Sequence, residues 1–188
     1  MGANTKTGGG RRGSRWRVAA WGIAAALILL PLLAMQVTDE VDWDLADFVF
    51  AGTLLVGVGV TYELAARTTG NGAYRAAVAV ALAAAFILVW ANAAVGIIGS
   101  EDNPANMMYG VVLAFGIVGA IIARFQPNGM ARALAATALA QASVAVIALM
   151  AGLGLPANGP LEIATLNGFF AALWLTSAWL FRKAAREQ

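Results

Sequence analysis

Long apolar runs alternate with short polar segments along the whole chain. Six of these runs are long enough for a helix that crosses the hydrocarbon core of a bilayer, which is about 30 Å thick and needs about 20 helical residues. The runs contain very few charged residues. The pattern therefore predicts six membrane spans, in residues 18–37, 46–66, 76–100, 103–123, 133–161 and 163–181.

The fifth run is longer than one span needs. Its last part, residues 152–160, contains three Gly and two Pro. Clusters of Gly and Pro mark turns and loops, so we expect a loop there, between the fifth and sixth spans. At the other end of the chain, residues 1–15 are Gly-rich and basic and are predicted to form a disordered tail. The membrane domain is predicted to cover residues 16–186.

Basic and acidic residues lie mostly in different polar segments between the apolar runs. Short loops rich in Lys and Arg stay on the cytoplasmic side of a membrane, and six crossings put both termini on the same side. We therefore predict that both termini are cytoplasmic. All twelve basic residues fall in four short segments: Lys6, Arg11, Arg12, Arg15 and Arg17; Arg67 and Arg75; Arg124 and Arg132; Arg182, Lys183 and Arg186.

Composition agrees with this topology. The chain is 61% hydrophobic and 12% charged, with a mean hydropathy of +0.75, which is outside the range of soluble domains. The predicted fold is an all-α integral membrane six-helix bundle of three antiparallel helical hairpins. Its expected partner is the lipid bilayer, with assembly into a homo-oligomer left open. Since the basic residues are spread over loops on one face, they are expected to meet anionic headgroups and not nucleic acid.

The residue types exclude much chemistry. The chain has no Cys and no His, so it lacks thiolate nucleophiles, the commonest metal ligands and the usual base at physiological pH. It also lacks a P-loop, an HExxH or GxSxG motif and a dinucleotide fingerprint. We therefore predict no catalytic residues, no cofactor and no metal site, and we expect that the protein is not an enzyme.

Four polar residues inside the predicted spans are the candidate functional positions: Glu63, Asn92, Gln141 and Asn167. Polar groups in hydrocarbon are costly and often functional. Glu63 precedes Arg67 by four residues, which favours a surface ion pair, although a carboxyl group there could also carry a proton or cation. Asn92 and Gln141 share helix faces with small residues, which is typical of helix packing. The alternative is a polar site where Asn92, Gln141 and Asn167 converge on a solute.

The predicted outer loops are acidic. Asp44 and Asp47 fit the N-cap and third position of the second helix, and Asn103-Pro104 fits the start of the fourth. Caps do not explain the remaining acidic residues, so cation attraction or a Ca²⁺ or Mg²⁺ site is an alternative, although no EF-hand spacing is present. These remaining residues are Asp39, Glu40, Asp42, Glu101 and Asp102.

Tryptophans occur near the predicted membrane interfaces. Such positions are typical of the aromatic belt of membrane proteins, so this role is predicted for Trp16, Trp21, Trp43, Trp174 and Trp179.

Two predicted cytoplasmic turns are similar in sequence. Residues 66–76 and 123–133 have six identities in eleven positions. One interpretation is duplication of a helical hairpin, since internal repeats are common in transporters. The other is convergence, because tight turns favour Asn-Gly at positive φ and Arg at the ends of helices.

The segment WANAAVGIIGSEDNPANMMY, at residues 90–109, and the segment AMQVTDEV, at residues 34–41, carry a resemblance. They resemble a family of small bacterial multi-pass membrane proteins to which no activity is assigned. The resemblance covers about residues 18–185 and omits the basic tail. It implies a bacterial inner-membrane location and adds no mechanism.

The favoured functional prediction is therefore a non-enzymatic structural or accessory protein of the inner membrane. The alternative is a transporter or channel for a small solute or ion, with Glu63, Asn92 and Gln141 along its path.

Overall fold

A computed structural model describes residues 9–38 and 41–187. Within these ranges the chain forms six α-helices and one 3₁₀ turn, and it contains no β-strand. The predicted all-α fold with six helices is confirmed. The helices are α1 (Gly9–Ala34), α2 (Leu45–Thr68), α3 (Gly72–Ala94), α4 (Met108–Ile122), α5 (Pro127–Ala151) and α6 (Pro160–Arg186), and the 3₁₀ turn is Pro104–Met107.

Five stretches are long and apolar enough to cross a membrane, which is the architecture of a multi-pass membrane protein. Helix α1 covers Gly9–Ala34, and Trp21–Ala34 is its apolar part among the residues whose side chains are described. A crossing by α1 therefore stays a prediction. The five stretches are Leu45–Thr68, Gly72–Ala94, Pro104–Ile122, Pro127–Ala151 and Pro160–Arg186.

Large apolar side chains lie on the surface of these helices. On α4 the exposed residues include Val111, Phe115, Ile117 and Ile121, each more than half exposed. Soluble monomers rarely expose many large apolar side chains on one contiguous surface, whereas lipid tails solvate such a surface. The exposed faces therefore agree with contact to a bilayer.

The chain divides into two compact units, and the first is Met1–Val60. In this unit α1 and the larger part of α2 run antiparallel. A Cβ added at Gly52 would lie 3.9 Å from Ile28 Cδ1, and one added at Gly59 would lie 2.9 Å from Trp21 Cη2. The absence of a side chain at Gly59 makes room for the Trp21 ring, whereas a Cβ at Gly52 would make an ordinary van der Waals contact.

Two helix starts follow the predicted capping pattern. The Asp44 backbone N–H donates to Asp47 Oδ2 and the Asp47 N–H donates to Asp44 Oδ1, each at 3.0 Å, at the beginning of α2. The Ala105 N–H donates to Asn103 Oδ1 at 2.9 Å, directly before the helical stretch that starts with Pro104. Both capping predictions are confirmed.

The second unit, Thr61–Gln188, contains the end of α2 and all of α3 to α6. Here α6 packs along both α3 and α5, and α5 packs along α4. Tyr74 on α3 meets Phe181 on α6 edge to face, with ring centroids 5.1 Å apart. Helices α4 and α5 approach closely, since a Cβ added at Gly119 would lie 2.7 Å from Ala133 Cβ. The four helices share one hydrophobic core.

The third predicted span was too long at its end. Helix α3 ends at Ala94 and residues 95–103 form a loop, although residues 95–100 were predicted to be helical. Gly96 and Gly99 have φ of +69° and +75° in this loop, a conformation that a helix cannot contain and that Gly adopts readily. The sequence stays uncharged beyond the end of α3 because the loop residues Ile97 and Ile98 are buried in the core.

The predicted boundary of the basic tail also differs. Helix α1 begins at Gly9, so helical backbone starts before residue 16. Residues 1–8 lie outside the described ranges, and the disorder predicted for them stays a prediction.

The two similar turns have different conformations. Asn71 is the N-cap of α3, and its Oδ1 accepts from the Tyr74 N–H at 2.9 Å. In the second turn, Asn128 and Gly129 already lie in the first turn of α5, and the positive φ values fall on Arg124 and Phe125. The predicted shared role of Asn-Gly at positive φ was wrong. Duplication of the hairpins stays a prediction.

Candidate functional site

Polar side chains from three helices form a buried hydrogen-bonded network, named here the amide network: Tyr109, Gln141, Asn167 and Trp174. Asn167 Oδ1 accepts from Tyr109 Oη at 3.1 Å and from Gln141 Nε2 at 2.8 Å. Gln141 Oε1 accepts from Trp174 Nε1 at 3.4 Å. All four residues are at most 3% exposed. The network therefore joins α4, α5 and α6.

Helix backbone satisfies further polar groups around the amide network. Asn167 Nδ2 donates to the Ile163 carbonyl at 2.9 Å, and Thr137 Oγ1 donates to the Ala133 carbonyl at 3.0 Å. Ser177 Oγ donates across helices to the Ala77 carbonyl at 2.7 Å. Because these groups bond to the chain itself, the arrangement is suited to fixing helices against one another.

The structure brings together two of the three amides that were predicted to converge. Gln141 and Asn167 are hydrogen-bonded to each other. Asn92 lies in the last turn of α3 and bonds outside the network, with Nδ2 donating to the Leu88 carbonyl at 2.8 Å. Its Oδ1 is buried and has no hydrogen-bond partner within the described residues. The predicted convergence therefore holds for Gln141 and Asn167 and was wrong for Asn92.

Tyr109 and Trp174 were not predicted as members of the site. Trp174 was assigned to the aromatic belt, and this was wrong because it is only 3% exposed and bonds to Gln141. A sequence signal was present, since Asn167, Phe170, Trp174 and Ser177 are spaced as one face of a helix. Trp179 lies off that face and is 61% exposed, as predicted for a belt residue.

The predicted outer loops of the second unit are joined by asparagine side chains. Asn106 Oδ1 accepts from the Ile97 and Ile98 N–H groups at 3.1 and 2.9 Å, and its Nδ2 donates to the Ser100 carbonyl at 2.7 Å. Asn158 Oδ1 accepts from the Gly99 N–H at 2.6 Å. With Ile97 and Ile98 buried, this loop closes the end of the helices at which Glu101 and Asp102 lie.

The opposite end of the second unit carries the basic residues. Tyr74 Oη donates to the Phe125 carbonyl at 2.9 Å, and Asn71 Nδ2 donates to Glu187 Oε2 at 3.1 Å. These bonds join the α2–α3 turn, the α4–α5 turn and the end of α6. The basic segments of the second unit therefore lie at one end of the helices, as the charge pattern predicted: Arg67, Arg75, Arg124, Arg132, Arg182, Lys183 and Arg186.

Glu63 forms the predicted ion pair. Its Oε2 accepts from Arg67 Nη2 at 3.1 Å, and the Arg67 side chain is 65% exposed. Because solvent screens exposed pairs, such a bond stabilises a helix by about 0.3–0.5 kcal/mol.

We therefore expect Glu63→Gln to leave the unfolding midpoint in detergent nearly unchanged, and also any activity that complements a gene deletion. The control is Arg67→Gln, which breaks the same pair from its exposed side. Loss of complementation by a well-folded Glu63→Gln protein, but not by Arg67→Gln, would instead show that the carboxyl group has a role of its own.

Acidic residues do not group as metal ligands in the described part of the chain, where no cluster of three or more Asp, Glu, His or Cys is found. Asp39 and Glu40 lie outside the described ranges, so cation binding by the first outer loop stays a hypothesis. Comparison with known proteins found no matching family model, curated protein or solved structure.

Proposed function

We propose that this protein is a non-enzymatic structural or accessory component of a bacterial inner membrane. The observation that carries the proposal is the amide network, in which Gln141 and Asn167 bond to each other and to Tyr109 and Trp174 at no more than 3% exposure. Polar groups paired in this way hold membrane helices in register. They are not presented to a substrate.

The charge distribution supports the proposed orientation. In the second unit the Arg-rich turns meet at one end of the helices, and Glu101 and Asp102 lie in the loop at the other. By the positive-inside rule, the Arg-rich end faces the cytoplasm. If α1 also crosses, both termini are cytoplasmic. The same basic end would meet anionic headgroups, and we propose no nucleic acid partner.

The exposed apolar faces of the helices are proposed to contact lipid, or in part a second copy of the chain. We further propose membership of the bacterial family that residues 34–41 and 90–109 resemble.

A transporter or channel for a small solute or ion is the second candidate. One observation favours it, which is the buried Asn92 Oδ1 without a partner in the described residues. Buried unpaired polar atoms are uncommon in proteins, and each requires an explanation. A position on a solute path would supply one.

Flux measurements distinguish the two candidates. The purified full chain is reconstituted in vesicles of phosphatidylethanolamine and phosphatidylglycerol, and K⁺, Na⁺, H⁺ and small uncharged solutes are followed. For an accessory protein we expect no more flux than in protein-free vesicles. A larger flux that Asn92→Leu abolishes would reject the accessory role and establish transport.

A further inference from the structure

Asn92 occupies the last turn of α3, immediately before the loop of residues 95–103. Its Nδ2 donates to the Leu88 carbonyl at 2.8 Å. Its Oδ1 is buried and, within the described ranges, is the one buried side-chain oxygen or nitrogen that lacks a hydrogen-bond partner. The buried amides of Gln141 and Asn167 differ, because the side-chain oxygen of each accepts a hydrogen bond from another side chain.

An unpaired carbonyl oxygen is costly in an apolar interior, because the hydrogen bond that it makes with water in the unfolded chain is lost without replacement. Asn92 does not turn this oxygen to bulk water. The loop that follows it buries Ile97 and Ile98 at 1% and 0% exposure, and Asn106 and Asn158 fasten that loop. A bound donor molecule would supply the hydrogen bond that Oδ1 does not receive from the described residues.

The neighbouring oxygens indicate the charge of that molecule. The Leu88 carbonyl accepts from Asn92 Nδ2, and the Ala91 carbonyl accepts from the Val95 and Gly96 N–H groups at 3.1 Å each. Ca²⁺ takes six to eight oxygen ligands, whereas one amide oxygen can accept a single O–H or N–H donor. The chemistry on this turn suits an uncharged donor.

We propose that Asn92 Oδ1 binds one small uncharged hydrogen-bond donor at the end of α3, directly before the loop of residues 95–103 in the chain. The donor is a water molecule, or a small solute that carries a hydroxyl or amide group. This site goes beyond the proposed structural role and does not depend on it, since a protein without transport activity can hold such a molecule.

The stability of the purified full chain in detergent tests the proposal. Asn92→Leu removes the acceptor, and Thr137→Val is the matched control because Thr137 is also buried and makes the same bond to a carbonyl four residues earlier. If a donor is bound, Asn92→Leu lowers the Tm by about 2–8 °C more than Thr137→Val does. An equal or higher Tm for Asn92→Leu would overturn the proposal.

Smaller substitutions keep the test valid if Asn92→Leu does not fold. Asn92→Ser and Asn92→Ala differ by one hydroxyl group, and Ala is the better helix former. With a bound donor, the Ser variant is the more stable of the two. Equal stability, or a more stable Ala variant, would contradict a bound donor.

Added probes distinguish the two sources of the donor. Acetamide and methanol are titrated into the wild-type protein and into Asn92→Ala, and the Tm is followed. A stabilising shift in the wild type that is absent in Asn92→Ala assigns the site to a solute. Without such a shift, the loss of Tm on substitution assigns it to water.

Discussion

Replacing Asn167 by Leu is expected to destabilise the second unit by about 2–4 kcal/mol. The substitution leaves the Tyr109 hydroxyl and the Gln141 amide N–H without their acceptor, and a buried unsatisfied group costs about 1–3 kcal/mol. The two lost interhelical bonds alone would account for only about 1 kcal/mol at the membrane-protein average of about 0.6 each. The larger part of the loss therefore comes from the unpaired donors.

Unfolding of the purified protein in detergent measures this loss. Thr165→Val is the control on the same helix, because Thr165 is exposed and bonds only to the Leu161 carbonyl, and its effect is expected within about 0.5 kcal/mol. The double variant Gln141→Leu with Asn167→Leu is expected to lose less than the sum of the single variants. Equal effects of Asn167→Leu and Thr165→Val would contradict a structural role for the amide network.

Replacing Gly96 by Ala is expected to cost about 3–5 kcal/mol, for two separate reasons. Gly96 has φ of +69°, and a side chain in this left-handed region costs about 1–2 kcal/mol. The added Cβ would also overlap the Ser100 carbonyl group, so the loop backbone would have to move and its bonds to Asn106 would weaken.

Gly152 provides a control that separates the two reasons. It has φ of +62°, but the nearest atom to an added Cβ is Leu155 Cδ1 at 3.8 Å. Gly152→Ala should therefore cost only the conformational part, about 1–2 kcal/mol, in the same unfolding measurement. Equal losses for the two variants would show that the loop does not depend on close backbone packing at Gly96.

Helix positions could be predicted because membrane spans produce long uncharged runs and caps have local signatures. The caps made by Asp44, Asp47 and Asn103 Oδ1 bond within three residues, so they can be deduced from neighbouring sequence, whereas the bond from Asn103 Nδ2 to the Leu153 carbonyl could not. The end of α3 could not be placed, because Ile97 and Ile98 are as apolar in a buried loop as in a helix. Only the two glycines that flank them indicated the break.

The amide network depends on which helices are neighbours, and hydropathy does not encode this. Helix α3 packs along α6 and not mainly along the next helix in sequence, so the faces of Asn92 and Gln141 could each be recognised while their separation could not. Trp174 shows the same limit. A Trp in an apolar run suits the interface or the interior equally, and the hydrogen bond to Gln141 decides between them.

Cysteine accessibility tests the central claim most directly, namely that the loops of this multi-pass protein alternate across the membrane with the Arg-rich end inside. The chain has no native Cys, so single replacements at Val37, Asp102, Ala157, Gly70 and Asn128 can be labelled with a membrane-impermeant maleimide on intact spheroplasts. We predict labelling at Val37, Asp102 and Ala157, and labelling at Gly70 and Asn128 only after lysis. Labelling of Gly70 and Asn128 on intact cells, with Asp102 and Ala157 protected, would contradict the account.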